Sequence, residues 1–160
     1  MCCNSLFDPD RHKEERDKEN KGGEGYCPRI LDAAGNLIGA AAAGGNGGNG
    51  LIFKISADGT YSVLHRFATS EGKTPNGSLV LDAAGNLFGT AQSGGTQGLG
   101  TVYRLNTAGR VTVLHAFTGD LDGAFPLAGL IRDPAGNLFG TAVKNFLINQ
   151  FNGTVFQVTP

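Results

Sequence analysis

Apolar and polar residues alternate along this chain in runs of about five to seven, separated by turn-forming residues every 8–12 positions, the pattern of a protein built from short antiparallel strands. The middle of the chain shows it most fully. Residues 77–81 predict a first strand, 82–85 a turn, and 86–91 a second strand. A glycine-rich loop follows at 93–100, then a third strand at 101–105, a turn at 106–109 and a fourth strand at 111–117. The third strand recurs as Leu51-Ile52-Phe53-Lys54-Ile55 and as Thr154-Val155-Phe156-Gln157-Val158. With a period of two, Ile52, Val102 and Val155 share one face with Lys54, Arg104 and Gln157, while Phe53, Tyr103 and Phe156 lie on the other. The fourth strand recurs over 61–67, which places His65 and His115 at equivalent positions.

A second string repeats almost verbatim. Asp82-Ala83-Ala84-Gly85-Asn86-Leu87-Phe88-Gly89 is preceded by Asp32-Ala33-Ala34-Gly35-Asn36-Leu37-Ile38-Gly39 and followed by Asp133-Pro134-Ala135-Gly136-Asn137-Leu138-Phe139-Gly140, at intervals of 50 and 51 residues. No copy has the spacing of an amphipathic helix. An aspartate at the first position can accept bonds from the backbone ahead of it. The glycine can take positive φ and close a type I turn with a bulge, and Pro134 stands where such a turn favours proline. The string therefore predicts the hairpin between the first two strands of each unit.

A four-stranded meander of about 50 residues is the size of a β-propeller blade. A lone meander has two apolar faces and buries both only by stacking between neighbours. The expected fold is all-β: a β-propeller-type array of about three four-stranded blades, the first and last incomplete, behind a disordered charged N-terminal tail. The rivals at this repeat length are a β-trefoil and a β-prism. The expected domains are a tail over 1–28, unrelated to the repeat, and a repeat domain over 29–160, with repeats at roughly 29–74, 75–125 and 126–160.

The strings Asp-x-Ala-Gly-Asn-Leu-Phe-Gly-Thr, Gly-Gly, Gly-Thr-Val-Tyr/Phe and Val-Leu-His-x-Phe, led by a proline and Gly-Leu, resemble the GloVer-type tandem repeat over 29–160. Their cadence is also similar to NHL-type and related six-bladed propellers. The resemblance implies a bacterial, secreted or cell-surface setting in proteins with varied anchoring domains. It carries no catalytic residues onto this chain.

The outer copies depart from the middle one. Pro75 and Pro126 each lie seven residues before their aspartates, but Pro28 lies only four before Asp32, and no fourth strand follows Val158. These departures suggest a fragment of a longer array, preferred here over two chains that complete one ring, since repeat arrays need intact caps. In the third copy the Gly-Gly loop is replaced by residues 144–152, whose Phe146, Leu147, Ile148 and Phe151 form a candidate interaction patch.

Composition narrows the partners. The net charge is −1, with no basic footprint for nucleic acid. No apolar run approaches the ~18 residues of a membrane span, and the opening residues do not read as a secretory signal. Twelve of the 27 charged residues fall within positions 8–24, a mixed-charge run with too little apolar surface to fold on its own; His12 belongs to it. Cys2, Cys3 and Cys27 fit neither a zinc pattern nor a disulfide framework and read as free thiols.

Candidate chemistry is sparse. Asp32, Asp82 and Asp133 read as turn formers. Asp120-Leu121-Asp122-Gly123 superficially resembles part of a calcium loop but lacks the third carboxylate and distal glutamate. His65 and His115, on the outermost strand, read as hydrogen-bonded structural residues. The glycine-rich 44–50 lacks the Lys-Ser/Thr of a phosphate loop. No catalytic, metal or cofactor site is expected, and binding residues are not identified. By analogy with similar propellers, ligands would meet the loops at 69–76, 118–127, 44–50, 93–100 and 144–152. The functional expectation is a repeat scaffold or binding module that recognises a glycan or protein through loops on one face and self-associates through open blade edges. The alternatives are a propeller-type lyase or hydrolase, or a non-functional partial product. Glu71, the only glutamate beyond residue 24, offers no obvious acid–base set.

Overall fold

The computed structural model describes residues 29–143 and 153–160. The predicted charged tail over 1–28 and the apolar loop over 144–152 lie outside the described residues. The described chain is all-β, apart from one 3₁₀ turn at Asn46–Gly48.

Strands β1 (Arg29–Leu31), β2 (Leu37–Ala41), β3 (Leu51–Ile55) and β4 (Tyr61–Arg66) form an antiparallel sheet in the order β1-β2-β3-β4. Strands β5 (Val80–Leu81), β6 (Leu87–Ala91), β7 (Thr101–Leu105) and β8 (Val111–Ala116) repeat that order in a second sheet. Strands β9 (Ile131–Arg132), β10 (Leu138–Ala142) and β11 (Thr154–Val158) form a third sheet of three strands, in which β11 pairs, among the described strands, with β10 alone. The outcome is the expected propeller-like array of meander blades. The histidine-bearing fourth strand is at the sheet edge in both complete copies.

Several strands are shorter than the residue pattern predicts. The first strand of the middle blade is Val80–Leu81 rather than 77–81. Gly77 lies outside it, where a side chain would collide with Thr90 Oγ1 and the Ala128 carbonyl. The fourth strands stop one residue before Phe67 and Phe117, whose amides still donate to the Gly50 and Gly100 carbonyls at 3.1 and 3.0 Å. In the first blade β1 has three residues, one more than its counterparts. The missing lead-in precedes the strand and does not truncate it.

The core lies in the seams between blades. In the first seam Ile38, Ile52 and Phe67 of one blade meet Leu79, Leu87, Ala91, Tyr103 and Leu105 of the next. In the second, Phe88, Val102 and Phe117 meet Leu130, Leu138, Ala142 and Phe156. Burying each large apolar side chain contributes about 1.5–3 kcal/mol, so blades stabilise one another in a way that a lone meander lacks. An aromatic–aromatic contact recurs in each seam. Phe67 meets Tyr103 edge-on with ring centroids 4.9 Å apart, and Phe117 meets Phe156 at 5.0 Å.

The alternation explains the glycine that ends each repeated string. Gly39 pairs with Phe53, Gly89 with Tyr103 and Gly140 with Phe156 across adjacent strands. The far end of each aromatic ring occupies the space over its glycine. A methyl group on Gly39 would stand 2.7 Å from Phe53 Cζ, and one on Gly89 2.5 Å from the Tyr103 hydroxyl.

Candidate functional site: the loop end of the array

The two ends of the blades differ in kind. At one end are only tight turns. Asp82 N donates to the Asn86 carbonyl at 3.0 Å, Gly85 N to the Asp82 carbonyl at 3.1 Å, and Gly85 has φ +83°. The Asp82 carboxylate accepts from the amides of Ala84 and Asn86 at 3.0 and 2.8 Å and from the Asn86 side chain at 2.9 Å. Asp32 and Asp133 receive the same bonds from Asn36 and Asn137. The side-chain amides of Asn36 and Asn137 hold Asp32 and Asp133 below the usual carboxylate range. Burial works to raise Asp82, but its bonds from Asn86 and Ala84 outweigh it and the net direction is again down. These repeated carboxylates are turn formers, as the sequence suggests.

At the other end, the loops after each second strand meet the loops that enter each new blade. Lys73 and Ser93 exchange backbone hydrogen bonds at 2.6 and 3.1 Å, Gln92 N donates to the Thr74 carbonyl at 3.1 Å, and Gly95 N to the Thr69 carbonyl at 3.0 Å. Thr74 N donates to the Asn49 carbonyl at 2.9 Å, and Phe125 N to the Leu99 carbonyl at 2.8 Å. Four of the five loops expected to meet ligands, 44–50, 69–76, 93–100 and 118–127, therefore share one end. Residues 144–152 lie outside the described residues. Thr74 and Phe125, each directly before a repeat proline, take φ of +57° and +54°, a conformation sterically unfavourable for non-glycine residues. Gly50 and Gly100 pack against Pro75 and Pro126 so closely that a side chain on either would stand 2.5 or 2.6 Å from the proline Cδ. The glycine-rich 44–50 is closed by Gly50 N donating to the Gly44 carbonyl at 3.0 Å. The Asn49 side chain is spent on the Phe67 carbonyl at 3.2 Å and Thr69 Oγ1 at 3.3 Å.

The histidines turn out to be paired. His65 Nε2 lies 2.9 Å from Glu71 Oε2, and His115 Nε2 lies 2.9 Å from Asp122 Oδ2. Each acid also ties its own loop: Glu71 accepts from the Ala68 amide at 2.8 Å, and Asp122 from the amide and hydroxyl of Thr118 at 2.9 and 2.8 Å. Burial works to raise Asp122, yet the bonds from Thr118 and His115 hold its carboxyl below the usual range. The acids are the residues that reading the sequence missed. Glu71-Gly72 and Asp122-Gly123 both stand four residues before a repeat proline, so aligning the copies on Pro75 and Pro126 reveals one acidic position. Asp122 thus serves a loop-tying histidine pair. Among the described residues no group of three or more histidine, cysteine or acidic side chains is placed to hold a metal ion.

His65 does more than His115. Its Nδ1 lies 3.1 Å from the Gly109 carbonyl in the last turn of the next blade. A carbonyl and an ionised carboxylate both accept, so both contacts are hydrogen bonds only when both ring nitrogens carry protons.

What remains for a ligand on this end are a few polar side chains and one side-chain pair. Lys73, Ser93, Thr96, Gln97 and Asp120 reach solvent to different degrees, and Asn76 donates to Gln92 Oε1 at 3.1 Å. Thr118, Asp120, Leu121 and Asp122 line an open depression in which Leu121 is exposed.

The profile of the Gloeobacter/Verrucomicrobia repeat matches residues 13–160, the same repeat that the recurring strings resemble. No curated protein matches the chain. Solved structures do. One is an X-ray structure provisionally named a gluconolactonase, 20% identical, with a TM-score of 0.46 over 78% of this chain and 44% of that one. The present chain thus spans less than half of that protein's length.

Proposed function

We propose, for a chain that belongs to the Gloeobacter/Verrucomicrobia repeat family, that it is a repeat scaffold which binds a glycan or a protein segment through its loop end. One observation carries this reading. The loops at that end are fastened to each other through backbone groups, which leaves Lys73, Thr96, Gln97 and Asp120, beside the Asn76–Gln92 hydrogen-bonded pair, on a preorganised support. Preorganised loops lose little entropy on binding. The opposite end offers only turns whose carboxylates are already occupied. Binding without turnover is the expected mode, because Glu71, Asp122, His65 and His115 serve to tie loops and blades.

The test is a glycan-array screen of the full chain, followed by calorimetry on any hit. A hit that Lys73→Ala combined with Asn76→Ala weakens at least tenfold, without change in melting temperature, supports the reading. A hit that persists unchanged in that variant, or a ligand that is converted during incubation, overturns it.

A further inference from the structure

His65 faces two acceptors, and each is fixed by bonds of its own. The Glu71 carboxylate accepts from the Ala68 amide at 2.8 Å. The backbone of Glu71 is pinned as well: its amide donates to the Ala68 carbonyl at 3.0 Å, and its carbonyl accepts from the Thr101 hydroxyl of the next blade at 2.7 Å. The Gly109 carbonyl shares a peptide group with the Arg110 amide, which donates to Asn106 Oδ1 at 2.9 Å. Gly109 N donates to the Asn106 carbonyl at 3.0 Å. This turn lies directly on β4, since a methyl group on Gly109 would stand 3.1 Å from the Leu64 carbonyl. Neither acceptor moves away from the ring without giving up another bond.

Water is a poor substitute for a lost donor here. The His65 side chain is 15% exposed, against 34% for His115, and Phe67 packs against its ring with centroids 5.3 Å apart. Glu71 is the acid that pairs with it. The other charged groups on the enclosing elements are Lys54 on β3, Arg66 beside it on β4, Lys73 further along the loop and Arg110 beside Gly109; among the described residues none of these forms an ion pair with His65 or Glu71. Asp58, in the turn between β3 and β4, accepts from the Thr60 amide at 2.9 Å.

We propose that His65 is a pH-sensitive latch between the first two blades, closed when its ring is an imidazolium and released at the Gly109 carbonyl when the ring is neutral. An imidazolium supplies both donors, whereas a neutral ring carries one N–H. That remaining proton stays on Nε2, because a bond to an ionised carboxylate is stronger than one to a carbonyl. Loss of the other proton to solvent leaves the loop at 69–76 tied through Glu71, but turns a lone pair of Nδ1 toward the Gly109 carbonyl. The cross-blade bond therefore stabilises the first seam while both nitrogens are protonated. Its contribution disappears as pH rises through the range of about 5–8 in which histidines change charge. The latch joins two complete sheets inside the chain and needs no ligand at the loop end.

The experiment compares the full chain with His65→Gln, whose amide can keep the bond to Glu71 but offers Gly109 no titrating donor. His115 is unchanged in the variant, so its own titration cancels in the comparison. Melting temperatures are followed from about pH 5.5 to pH 8. Wild type is expected to melt about 2–4 °C above the variant at the acid end, the shift that roughly one hydrogen bond makes in a chain of this size, and to lose that margin at the alkaline end. In NMR spectra the Arg110 amide nitrogen is expected to change its shift with pH in step with the His65 ring carbons, and to stay still in His65→Gln. If His65→Gln does not fold, the Arg110 and His65 signals of the wild type decide alone. A margin that is constant or grows toward pH 8, or an Arg110 signal that does not follow the His65 ring, overturns the proposal.

Discussion

Phe67 and Tyr103 sit edge to face across the first seam, with ring centroids 4.9 Å apart and ring planes at 66°. Fifty residues on, Phe117 and Phe156 make the same contact at 5.0 Å and 72°. Phe67 and Phe117 each stand just past the end of their strand, and both are almost fully buried. Truncating a buried Phe to Ala costs about 3–5 kcal/mol. Phe67→Ala is expected to lower unfolding free energy by that order, and Phe117→Ala comparably, as read by urea denaturation. A loss below about 0.5 kcal/mol for either would show that the seam does not hold the blades together.

Tyr103 differs from its counterparts Phe53 and Phe156 by a hydroxyl that is fully buried and lacks a hydrogen-bond partner among the described residues. Burial pushes that phenol far above its ordinary range, so it stays neutral. A buried unsatisfied hydroxyl costs about 1–3 kcal/mol. Tyr103→Phe is therefore expected to leave the fold intact and raise the melting temperature. A clear drop in the melting temperature would mean that the hydroxyl has a favourable partner.

Gly89 has the opposite sensitivity. Its backbone is unremarkable, but a methyl group there would meet the Tyr103 hydroxyl at 2.5 Å and Leu79 Cδ2 at 2.9 Å, both in the buried seam. Overpacking of this kind costs about 1–3 kcal/mol. Gly89→Ala is expected to destabilise by that order in the wild type and by less in a Tyr103→Phe background, where the closest atom is gone. Equal losses in the two backgrounds, measured as a double-mutant cycle by denaturation, would exclude the hydroxyl as the cause.

Asp122 predicts a pH dependence. Its carboxyl is held below the ordinary range in the folded chain by Thr118 and His115, against the effect of burial. A group whose folded pKa is depressed contributes stability above its unfolded pKa, about 3.9 for aspartate, and loses that contribution as pH falls through the folded value. Asp122→Asn is expected to melt earlier than wild type at neutral pH and to show a flatter decline on acidification below about pH 4. Parallel pH profiles of the two melting temperatures would refute the assignment.

The sequence by itself determined the local structure. The Asp-x-Ala-Gly-Asn string specified its own hairpin because carboxylate, glycine and asparagine all act within five residues, and the period-two runs specified strands whose faces read correctly on both sides. The family was legible for the same reason, since long strings recur at near-constant spacing. What only the tertiary structure decided lies across blades. The bonds of His65 to Glu71 and Gly109 join residues 6 and 44 positions apart, and alternation along one strand carries no trace of such contacts. Gly77, outside the strand its pattern predicts, sits where a side chain would meet Thr90 and Ala128. The unequal exposure of Ile52, Val102 and Val155 depends on whether a neighbouring sheet covers the row, which no property of their own strands reveals.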